Sequence, residues 1–288
     1  MSEVNVIIPC FNTHDFLDQT LESLRNQTFK NFTVTIVNDG SDRLETLDYL
    51  RGLPSDVKVL NQENKGLSAA RNAGIELSEC EYVLPLDSDD YLDKDFIKKA
   101  LWELKNNENI SFCFSLIRLE GEASGTLVKS YNFFQQLFLN QMPYCMLIKK
   151  SAWKFVGGYD ESMKKGYEDW EFNIKLGEAG FKAKQIDEAL FHYRVRSNGM
   201  LLGLSSKLHG SLWREIQHRH KNLYKFTSII RLWWEWKFKE QTYPTFIMLG
   251  LFIMHKLTSD KIFSIIFGQV MRFSHSRRLT NSLSRNRG

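Results

Sequence analysis

The segment Asp87-Ser88-Asp89-Asp90 follows an apolar run and carries the clearest chemistry in the sequence. Side chains two positions apart in an extended segment face the same side, so Asp87 and Asp89 can direct both carboxylates into one site. Two carboxylates that close together repel each other unless a cation lies between them. Carboxylate oxygens suit Mg²⁺ or Mn²⁺, and a diphosphate can supply further ligands. The alternative is a helix N-cap, which is the stronger interpretation of Asp90.

A second acidic pair, Glu168-Asp169, opens a helix predicted over residues 167–179. Adjacent helical residues point about 100° apart, so the two carboxylates cannot do the same job. One hypothesis makes one of them a base while the other holds the start of the helix in place. The alternative is a pair of first-turn acids favoured by the helix dipole, and the motif taken alone favours that alternative.

Asp39 and Arg71 are two further candidates for contacts with a ligand. Asp39 ends a predicted strand, where it either forms a DG turn or accepts hydrogen bonds from a ligand. Arg71 lies in the first turn of a helix predicted over residues 66–78. A cation there is unfavourable with the helix dipole, which indicates a partner, although an ordinary surface arginine is the alternative.

His192, Arg194 and Arg196 alternate along a predicted strand and share one of its faces. A histidine with two guanidinium groups suits a metal diphosphate, because arginine binds phosphate in bidentate fashion. The alternative is the polar outer face of an edge strand. The sequence contains no Walker motif, no GxGxxG, no HExxH, no GxSxG and no Cys/His group with zinc spacing.

Strands and helices alternate over the first 117 residues, which predicts a parallel sheet covered by helices on both faces. Ligands then bind at the carboxyl ends of the strands, where Asp39 and Asp87 fall. Further along, the sequence predicts a loop or hairpin over 119–130, a strand over 143–148 and one or two strands within 183–194. The earlier predicted strands are Val4–Ile8, Phe32–Val37, Val57–Leu60, Tyr82–Leu86 and Ile110–Ile117, and the earlier helices are 14–27, 66–78 and 94–106.

The charge divides the chain into two regions, predicted as 1–205 and 206–288. Residues 1–208 hold 24 Lys and Arg against 30 Asp and Glu, whereas residues 209–288 hold 14 against 4. The second region mixes Trp, Tyr and Phe with Lys and Arg over 211–240, which favours attachment to an anionic membrane surface. The alternative is helices that pack back over the first region. The apolar run 245–254 is too short to span a bilayer, and the basic end, 272–288, is expected to fray.

The composition of the 288 residues, with 43% hydrophobic and 25% charged residues, excludes collagen, low-complexity disorder and a disulfide mini-scaffold. The four cysteines show no CxxC spacing, which favours free thiols in a reducing compartment. The start of the sequence lacks the basic region of a secretory signal. We therefore expect a cytoplasmic protein that is peripheral on the inner face of the cell membrane. No nucleic-acid-binding motif is present, so no nucleic-acid partner is expected.

Taken in order, these motifs resemble the family 2 glycosyltransferases of the GT-A fold. The resemblance implies an α/β fold, a mostly parallel, Rossmann-like sheet flanked by helices, with a C-terminal helical extension. Residues 1–110 would then bind the nucleotide-sugar and residues 111–205 the acceptor. The segments that carry the resemblance are VNVIIPCFN (4–12), VNDGSD (37–42), NKGLSAARNAG (64–74), YVLPLDSDDYL (82–92), GGYDESMKKGYEDWEF (157–172) and HYR (192–194).

The resemblance also implies roles. Asp169 matches the catalytic base and Glu168 its neighbour, while Asp87 and Asp89 match the metal-binding DxD motif, with His192 as an additional metal contact. The matching nucleotide-sugar contacts are Pro9, Phe11, Asp39, Arg71, Asp87 and Arg194.

The implied activity is an inverting, Mn²⁺- or Mg²⁺-dependent transfer from a nucleoside-diphosphate sugar, typically a UDP-sugar, to a glycan or lipid-linked acceptor in cell-surface polysaccharide synthesis. The QxxRW motif and the membrane spans of processive synthases are absent from the sequence. One alternative is a sugar nucleotidyltransferase, but the loop PCFNTHD after the first strand lacks the required Gly and Lys or Arg. The other is a non-catalytic nucleotide-sugar-binding protein, although all the expected acids are present.

Overall fold

The structure, a computed structural model, describes residues 2–196 and 207–269. A nine-stranded sheet runs through the described residues in the order β3-β2-β1-β4-β8-β6-β9-β5, with β7 paired to β6. The strands are β1 (Val4–Cys10), β2 (Phe32–Asp39), β3 (Val57–Gln62), β4 (Tyr82–Pro85), β5 (Tyr91–Leu92), β6 (Ile110–Gly121), β7 (Gly125–Leu127), β8 (Leu147–Lys149) and β9 (Lys182–Val195).

Four neighbouring strands at one side of the sheet run parallel, in the order β3, β2, β1 and β4. β1 pairs in parallel with β2 and β4, and β2 pairs in parallel with β3. β8 lies antiparallel between β4 and β6, and β6 pairs in parallel with β9. Every residue of β1 is buried, as expected for a parallel strand that is covered on both faces.

Helices cover the sheet and continue into the C-terminal region. They are α1 (Leu17–Arg25), α2 (Leu44–Arg51), α3 (Leu67–Glu76), α4 (Phe96–Asn106), α5 (Phe133–Gln136), α6 (Lys150–Phe155), α7 (Glu168–Glu178), α8 (His209–Arg219), α9 (Phe226–Trp236), α10 (Thr245–Leu257) and α11 (260–269). α1 buries Leu17, Leu21 and Leu24, the spacing that places apolar residues on one helical face.

The predicted mostly parallel α/β architecture with a C-terminal helical extension is confirmed, and so is the hairpin within 119–130, which β6 and β7 form. The strand predicted over 143–148 is wrong in position, because the strand is Leu147–Lys149. The residues before it are buried irregular backbone that reaches the carboxyl edge of the sheet. Residues 183–194 lie within a single strand, β9.

The C-terminal helices share a hydrophobic core with the segment around α5 and α7. Phe134, Phe138 and Trp170 pack in one cluster with Trp213 and Leu251. Hydrogen bonds from Trp213 and Tyr224 to the carbonyl of Leu137 join the same elements. The helices therefore pack back over the rest of the chain. In the two described ranges, no helix combines the length and the apolarity needed to cross a bilayer. The basic end predicted to fray lies outside the described residues.

Candidate active site

The acidic segment predicted after the fourth strand lies directly beyond β4, at the carboxyl edge of the parallel strands. Asp87 and Asp89 are half-buried, while Ser88 and Asp90 are buried. An oxygen of Asp87 accepts a hydrogen bond from Arg71 at 2.7 Å, and the backbone N–H of Asp87 donates to the hydroxyl of Tyr144 at 3.0 Å. Burial first, and the neighbouring Asp87 second, raises the pKa of Asp89.

Arg71 joins this acidic segment to the acidic pair predicted as a catalytic motif. Its guanidinium donates to Asp87 Oδ1 at 2.7 Å and to Glu168 Oε1 at 2.9 Å, and its side chain is 1% exposed. Burial on its own would lower the pKa of Arg71, but the two carboxylates outweigh it and raise the pKa further. Arg71 therefore stays charged, and it is a buried structural cation rather than a surface arginine.

Glu168 and Asp169 begin α7 and diverge as the helical geometry predicts. Glu168 is buried against Arg71, whereas Asp169 is half-buried and accepts a hydrogen bond from Asn140 at 2.9 Å. Burial raises the pKa of both carboxyl groups, and Arg71 opposes that rise. Glu168 thus holds the start of the helix to Arg71, while the carboxylate of Asp169 stays near the protein surface.

Tyr167, the residue before this pair, has a left-handed backbone conformation with φ of 67°. A non-glycine residue is strained in that region, so surrounding contacts must hold it there. The hydroxyl of Tyr167 lies 2.6 Å from Nδ1 of His209, the first residue of α8. His209 stacks against Trp170 and Phe263, and burial lowers its pKa to about 3, so the imidazole is neutral. The C-terminal region therefore supports the turn that presents Glu168 and Asp169.

Asp90 does not cap a helix, contrary to the prediction for that residue alone. It accepts hydrogen bonds from the hydroxyl of Tyr144 at 2.5 Å and from the backbone N–H of Arg194 at 2.8 Å. Burial, followed by the charges of Asp89 and Asp87, raises its pKa. Asp90 therefore fixes the acidic segment against β9.

The alternating residues of β9, with Arg196 just beyond its end, reach the acidic segment in part. Arg194 donates through Nε to the carbonyl of Asp89 at 2.9 Å, and Nη1 of Arg196 lies 3.4 Å from Asp89 Oδ2. His192 instead places Nδ1 2.9 Å from Glu120 Oε1 and stacks on Tyr91. The two arginines therefore lie at the DxD segment, and the described contacts of His192 are with β5 and β6.

Asp39 ends β2 and is 3% exposed. It accepts hydrogen bonds from Gln62 at 2.7 Å and from the backbone N–H groups of Lys65 and Gly66 at 2.9 and 2.8 Å. Its carboxylate therefore shapes the loop that leads into α3 and Arg71. Two other residues were predicted to contact the nucleotide-sugar. Pro9 is buried in β1, whereas Phe11, just beyond that strand, is 44% exposed.

Two carboxylates of the site have the chemistry that a divalent cation requires. Asp87 and Asp89 follow the same strand, and the charge of Asp87 raises the pKa of Asp89, as expected when like charges lie close together. Hard cations such as Mg²⁺ bind through one or two carboxylates plus substrate phosphates. No cluster of three or more His, Cys, Asp or Glu side chains suited to a metal occurs within the described residues, so His192 does not complete a three-ligand set with the aspartates.

Sequence analysis missed two side chains that contact these acids. Tyr144 contacts both Asp87 and Asp90, and Asn140 contacts Asp169. Both lie in the segment between α5 and β8, where the backbone is irregular and the strand predicted over 143–148 forms only at Leu147–Lys149, which leaves out Tyr144. The contacts join residues far apart in the chain, so no local pattern marks them.

Comparisons with known proteins place the chain in a sequence family and show its fold. The sequence model described as glycosyl transferase family 2 matches residues 5–154. The hyaluronan synthase of Pasteurella multocida is 26% identical over 216 residues, which cover 72% of this chain and 22% of that protein. The chondroitin synthase of P. multocida strain Pm70 is 26% identical over 196 residues, covering 66% of this chain and 20% of that protein. The chain thus spans only a minor part of the length of both relatives.

The solved structures include a crystal structure of Staphylococcus aureus TarS residues 1–349 in complex with UDP-GlcNAc. It matches 81% of this chain and 69% of the TarS chain with a TM-score of 0.64 and 21% sequence identity. The predicted GT-A fold is therefore confirmed. Because the family's sequence model matches more than half of the residues of this chain, the chain belongs to glycosyl transferase family 2.

Proposed function

We propose that this protein transfers a sugar from a nucleoside-diphosphate sugar to a hydroxyl group, with inversion at the anomeric carbon. One observation carries the proposal: Arg71 bridges Asp87 and Glu168 at 2.7 and 2.9 Å. This bridge links Asp87, one of the two carboxylates that suit a metal diphosphate, to Glu168. Asp169, the neighbour of Glu168, can supply a base. A donor and an acceptor could therefore be held at one edge of the sheet.

In the proposed reaction, the acceptor hydroxyl attacks the anomeric carbon and passes its proton to Asp169. The bond between that carbon and the diphosphate oxygen breaks, and the nucleoside diphosphate leaves with the electron pair. Since the acceptor enters opposite the leaving group, a single displacement inverts the centre and requires no enzyme nucleophile. The half-buried carboxylate of Asp169, with a pKa raised by burial, supports the role of base.

Asp87 and Asp89 would hold Mn²⁺ or Mg²⁺ together with the diphosphate. A divalent cation at this position neutralises the charge that develops on the leaving diphosphate. Arg194 and Arg196 lie against Asp89 and add positive charge to the same region. We assign the diphosphate to this side of the site, with Arg194 as its protein contact.

The nucleotide is proposed to bind where β1, β2 and the start of α3 meet. Asp39 fixes the loop over residues 62–66, and Phe11 offers an exposed ring just after β1. Pro9 and Arg71 complete the proposed contacts on this side. A uridine nucleotide is the first candidate, because the structurally similar TarS was crystallised with UDP-GlcNAc.

The acceptor is proposed to be a glycan or a lipid-linked sugar in cell-surface polysaccharide synthesis. The similarity to hyaluronan and chondroitin synthases supports a glycan product. A lipid-linked acceptor would place the enzyme on the inner face of the cell membrane, which the basic, aromatic C-terminal region supports. We keep residues 1–205 as the proposed catalytic region and 206–288 as its helical extension.

Replacing the base tests the proposal. With a UDP-sugar and Mn²⁺, Asp169→Asn should lower turnover by about 10²–10⁴-fold, the range that general-base catalysis contributes. Binding of UDP, measured by isothermal titration calorimetry, should stay within the error of the unsubstituted protein because Asp169 lies on the acceptor side. Turnover is followed as release of UDP.

A matched substitution at Asp160 controls for the loss of a carboxylate as such. Asp160 lies outside the proposed site and pairs with Arg219. Asp160→Asn should leave turnover unchanged. Normal turnover by Asp169→Asn would remove Asp169 from the role of base, and full activity in metal-free buffer with EDTA would remove the metal from the proposal.

A further inference from the structure

One face of α9 carries a row of exposed apolar side chains. Phe226, Ile230 and Trp234 follow one another at intervals of four residues, and Phe238 extends the row just beyond the helix. They are 77%, 46%, 63% and 88% exposed. Residues four apart lie on the same side of a helix, so these side chains form one stripe. We call Phe226, Ile230, Trp234 and Phe238 the α9 stripe.

The α9 stripe is not the face that holds the helix in the fold. Ile229 and Leu232 are 5% and 4% exposed and belong to the C-terminal hydrophobic core. α9 is therefore apolar on two sides, and only one of them is covered by the protein. An apolar row that the described part of the fold leaves this exposed is typical of a surface that binds something else.

The stripe lines a shallow depression, and the sequence around it is rich in Lys and Arg. The depression has a volume of about 480 Å³ and is lined by Phe226, Thr227, Ile230, Arg231, Trp234 and Glu235. The ammonium of Lys237 lies 3.0 Å from the centre of the Trp234 ring. Residues 221–239 carry five Lys and Arg residues against the single acid Glu235, and these cations are Lys221, Lys225, Arg231, Lys237 and Lys239.

We propose that the α9 stripe is a binding surface for an anionic lipid bilayer, in which the aromatic rings enter the headgroup region and the surrounding cations pair with lipid phosphates. Tryptophan and phenylalanine suit this region, and lysine stems can lie along apolar surface while their charge stays in water. Lys and Arg residues near a membrane are attracted to anionic lipid headgroups. The inference rests on one part of the proposed function, namely that the protein works at a membrane. It does not depend on the proposed chemistry.

A second copy of the chain fits the same surface less well. A symmetric dimer formed through α9 would bring two copies of the same basic surface together. Like charges facing each other disfavour that contact, whereas an anionic bilayer neutralises them. The charge around the stripe therefore selects lipid over self-association.

Vesicle flotation tests the inference with the full chain. The unsubstituted protein should float with vesicles of phosphatidylcholine and phosphatidylglycerol at low salt, and should not float with phosphatidylcholine alone. The double variant Phe226→Ser/Trp234→Ser should bind the anionic vesicles on the order of tenfold less, because two interfacial anchors are lost. Charge reversal by Lys225→Glu/Lys239→Glu should weaken binding as well and remove its salt dependence.

Trp102→Ser is the matched control, since Trp102 is 60% exposed on α4 and lies outside the stripe. It should float like the unsubstituted protein. Equal flotation of the Phe226/Trp234 variant, or no flotation of the unsubstituted protein at low salt, would overturn the inference. A dimer in sedimentation velocity that the same variant converts to monomer would assign the stripe to self-association instead.

A donor-hydrolysis assay in solution separates this inference from the proposed function. All the flotation variants should release UDP from the UDP-sugar at the normal rate, because none of the altered residues lies at the proposed site. Loss of flotation with normal UDP release bears on the α9 stripe alone. Flotation without any UDP release from any nucleotide-sugar would leave the stripe intact and contradict the proposed activity.

Discussion

Arg71 is the residue on which most contacts of the site converge. It is buried, it pairs with Asp87 and Glu168, and it lies 4.8 Å from the centre of the Tyr144 ring. A buried ion pair adds little net stability compared with apolar residues, but removing one partner leaves an uncompensated charge. The charge balance around Arg71 is therefore more sensitive to substitution than that of the surface arginines.

Arg71→Met should lower the free energy of unfolding by about 3–5 kcal/mol, because it leaves the buried carboxylate of Glu168 and the half-buried carboxylate of Asp87 without their cation. Urea denaturation followed by circular dichroism measures the change. Arg51→Met is the control, since Arg51 pairs with Asp48 at an exposed site where both side chains are 71% exposed. An exposed pair of this kind contributes roughly 0–1 kcal/mol. Equal effects of the two substitutions would contradict a structural role for Arg71.

In the proposed mechanism, the pKa of Asp169 sets the acidic limb of the pH–activity profile. Burial raises that pKa, while the hydrogen bond from Asn140 lowers it. The base works in its deprotonated form, so activity should fall as the pH drops through a pKa above the ordinary value of about 3.9 for aspartate.

Asn140→Ala should move that acidic limb to higher pH, because the carboxylate loses a hydrogen bond to its charged form. Profiles of kcat/KM against pH for the two proteins give the comparison. Activity at the alkaline plateau should change less than activity in the acidic limb. A limb that moves to lower pH, or does not move, would contradict the contact between Asn140 and Asp169.

Between elements, one histidine ties the end of α8 to α7. His220 Nδ1 lies 2.7 Å from Glu178 and Nε2 lies 3.2 Å from Glu171. Burial lowers the pKa of His220, but the hydrogen bonds and charges of the two glutamates outweigh it and raise the pKa overall. The ion pairs therefore stabilise the fold most when His220 is protonated.

Because the folded pKa of His220 lies above its unfolded value of about 6.5, the stabilisation is complete below that pH and disappears as the pH rises through the folded pKa. His220→Gln should lower the free energy of unfolding by about 1–3 kcal/mol at pH 6 and by less at alkaline pH. Denaturation midpoints at a series of pH values report this. His218→Gln is the control, because His218 is exposed two residues earlier in the chain. It should leave the free energy of unfolding unchanged.

Sequence patterns predicted the parallel half of the sheet well because each strand there is a short apolar or alternating run that ends at polar or turn residues. β1, β2, β3 and β4 begin at the predicted residues, and α4 lies within its predicted range. The patterns failed between α5 and β8, where Tyr144 and Asn140 lie. That segment is shaped by contacts with Asp90 and Asp169 rather than by local periodicity, so its elements could not be placed from sequence.

The acidic residues of the site were found from sequence because their types and spacing are local signals. The contacts of these acidic residues with their partners were not found from sequence. The contact between Arg71 and Glu168 spans 97 positions, and only the folded chain brings these side chains together. Composition identified the basic aromatic C-terminal region, but could not tell which aromatic residues enter the core, such as Trp213, and which stay exposed, such as Trp234.

Across the chain, the C-terminal helices complete a core that begins near the site. Trp170 of α7 donates from its indole nitrogen to the carbonyl of Gln136, and it stacks against Trp213 of α8. Phe134 and Phe138 are buried in the same cluster. The change in composition near residue 206 is therefore not a boundary between two separate cores.

Deleting residues 207–288 should expose this cluster and prevent cooperative folding. Each large apolar side chain that loses its cover forfeits about 1.5–3 kcal/mol, so several together approach the whole stability of a domain. Thermal unfolding and sedimentation of the shortened protein test this. A monomer that unfolds cooperatively and still releases UDP would show that residues 1–206 fold without the C-terminal helices and would contradict the shared core.

The left-handed turn at Tyr167 makes the start of α7 depend on the C-terminal helices. The hydroxyl of Tyr167 is hydrogen-bonded to a neutral imidazole that belongs to the first of those helices. Glu168 and Asp169 follow this turn directly, so the positions of their carboxylates depend on how α8 packs against α7.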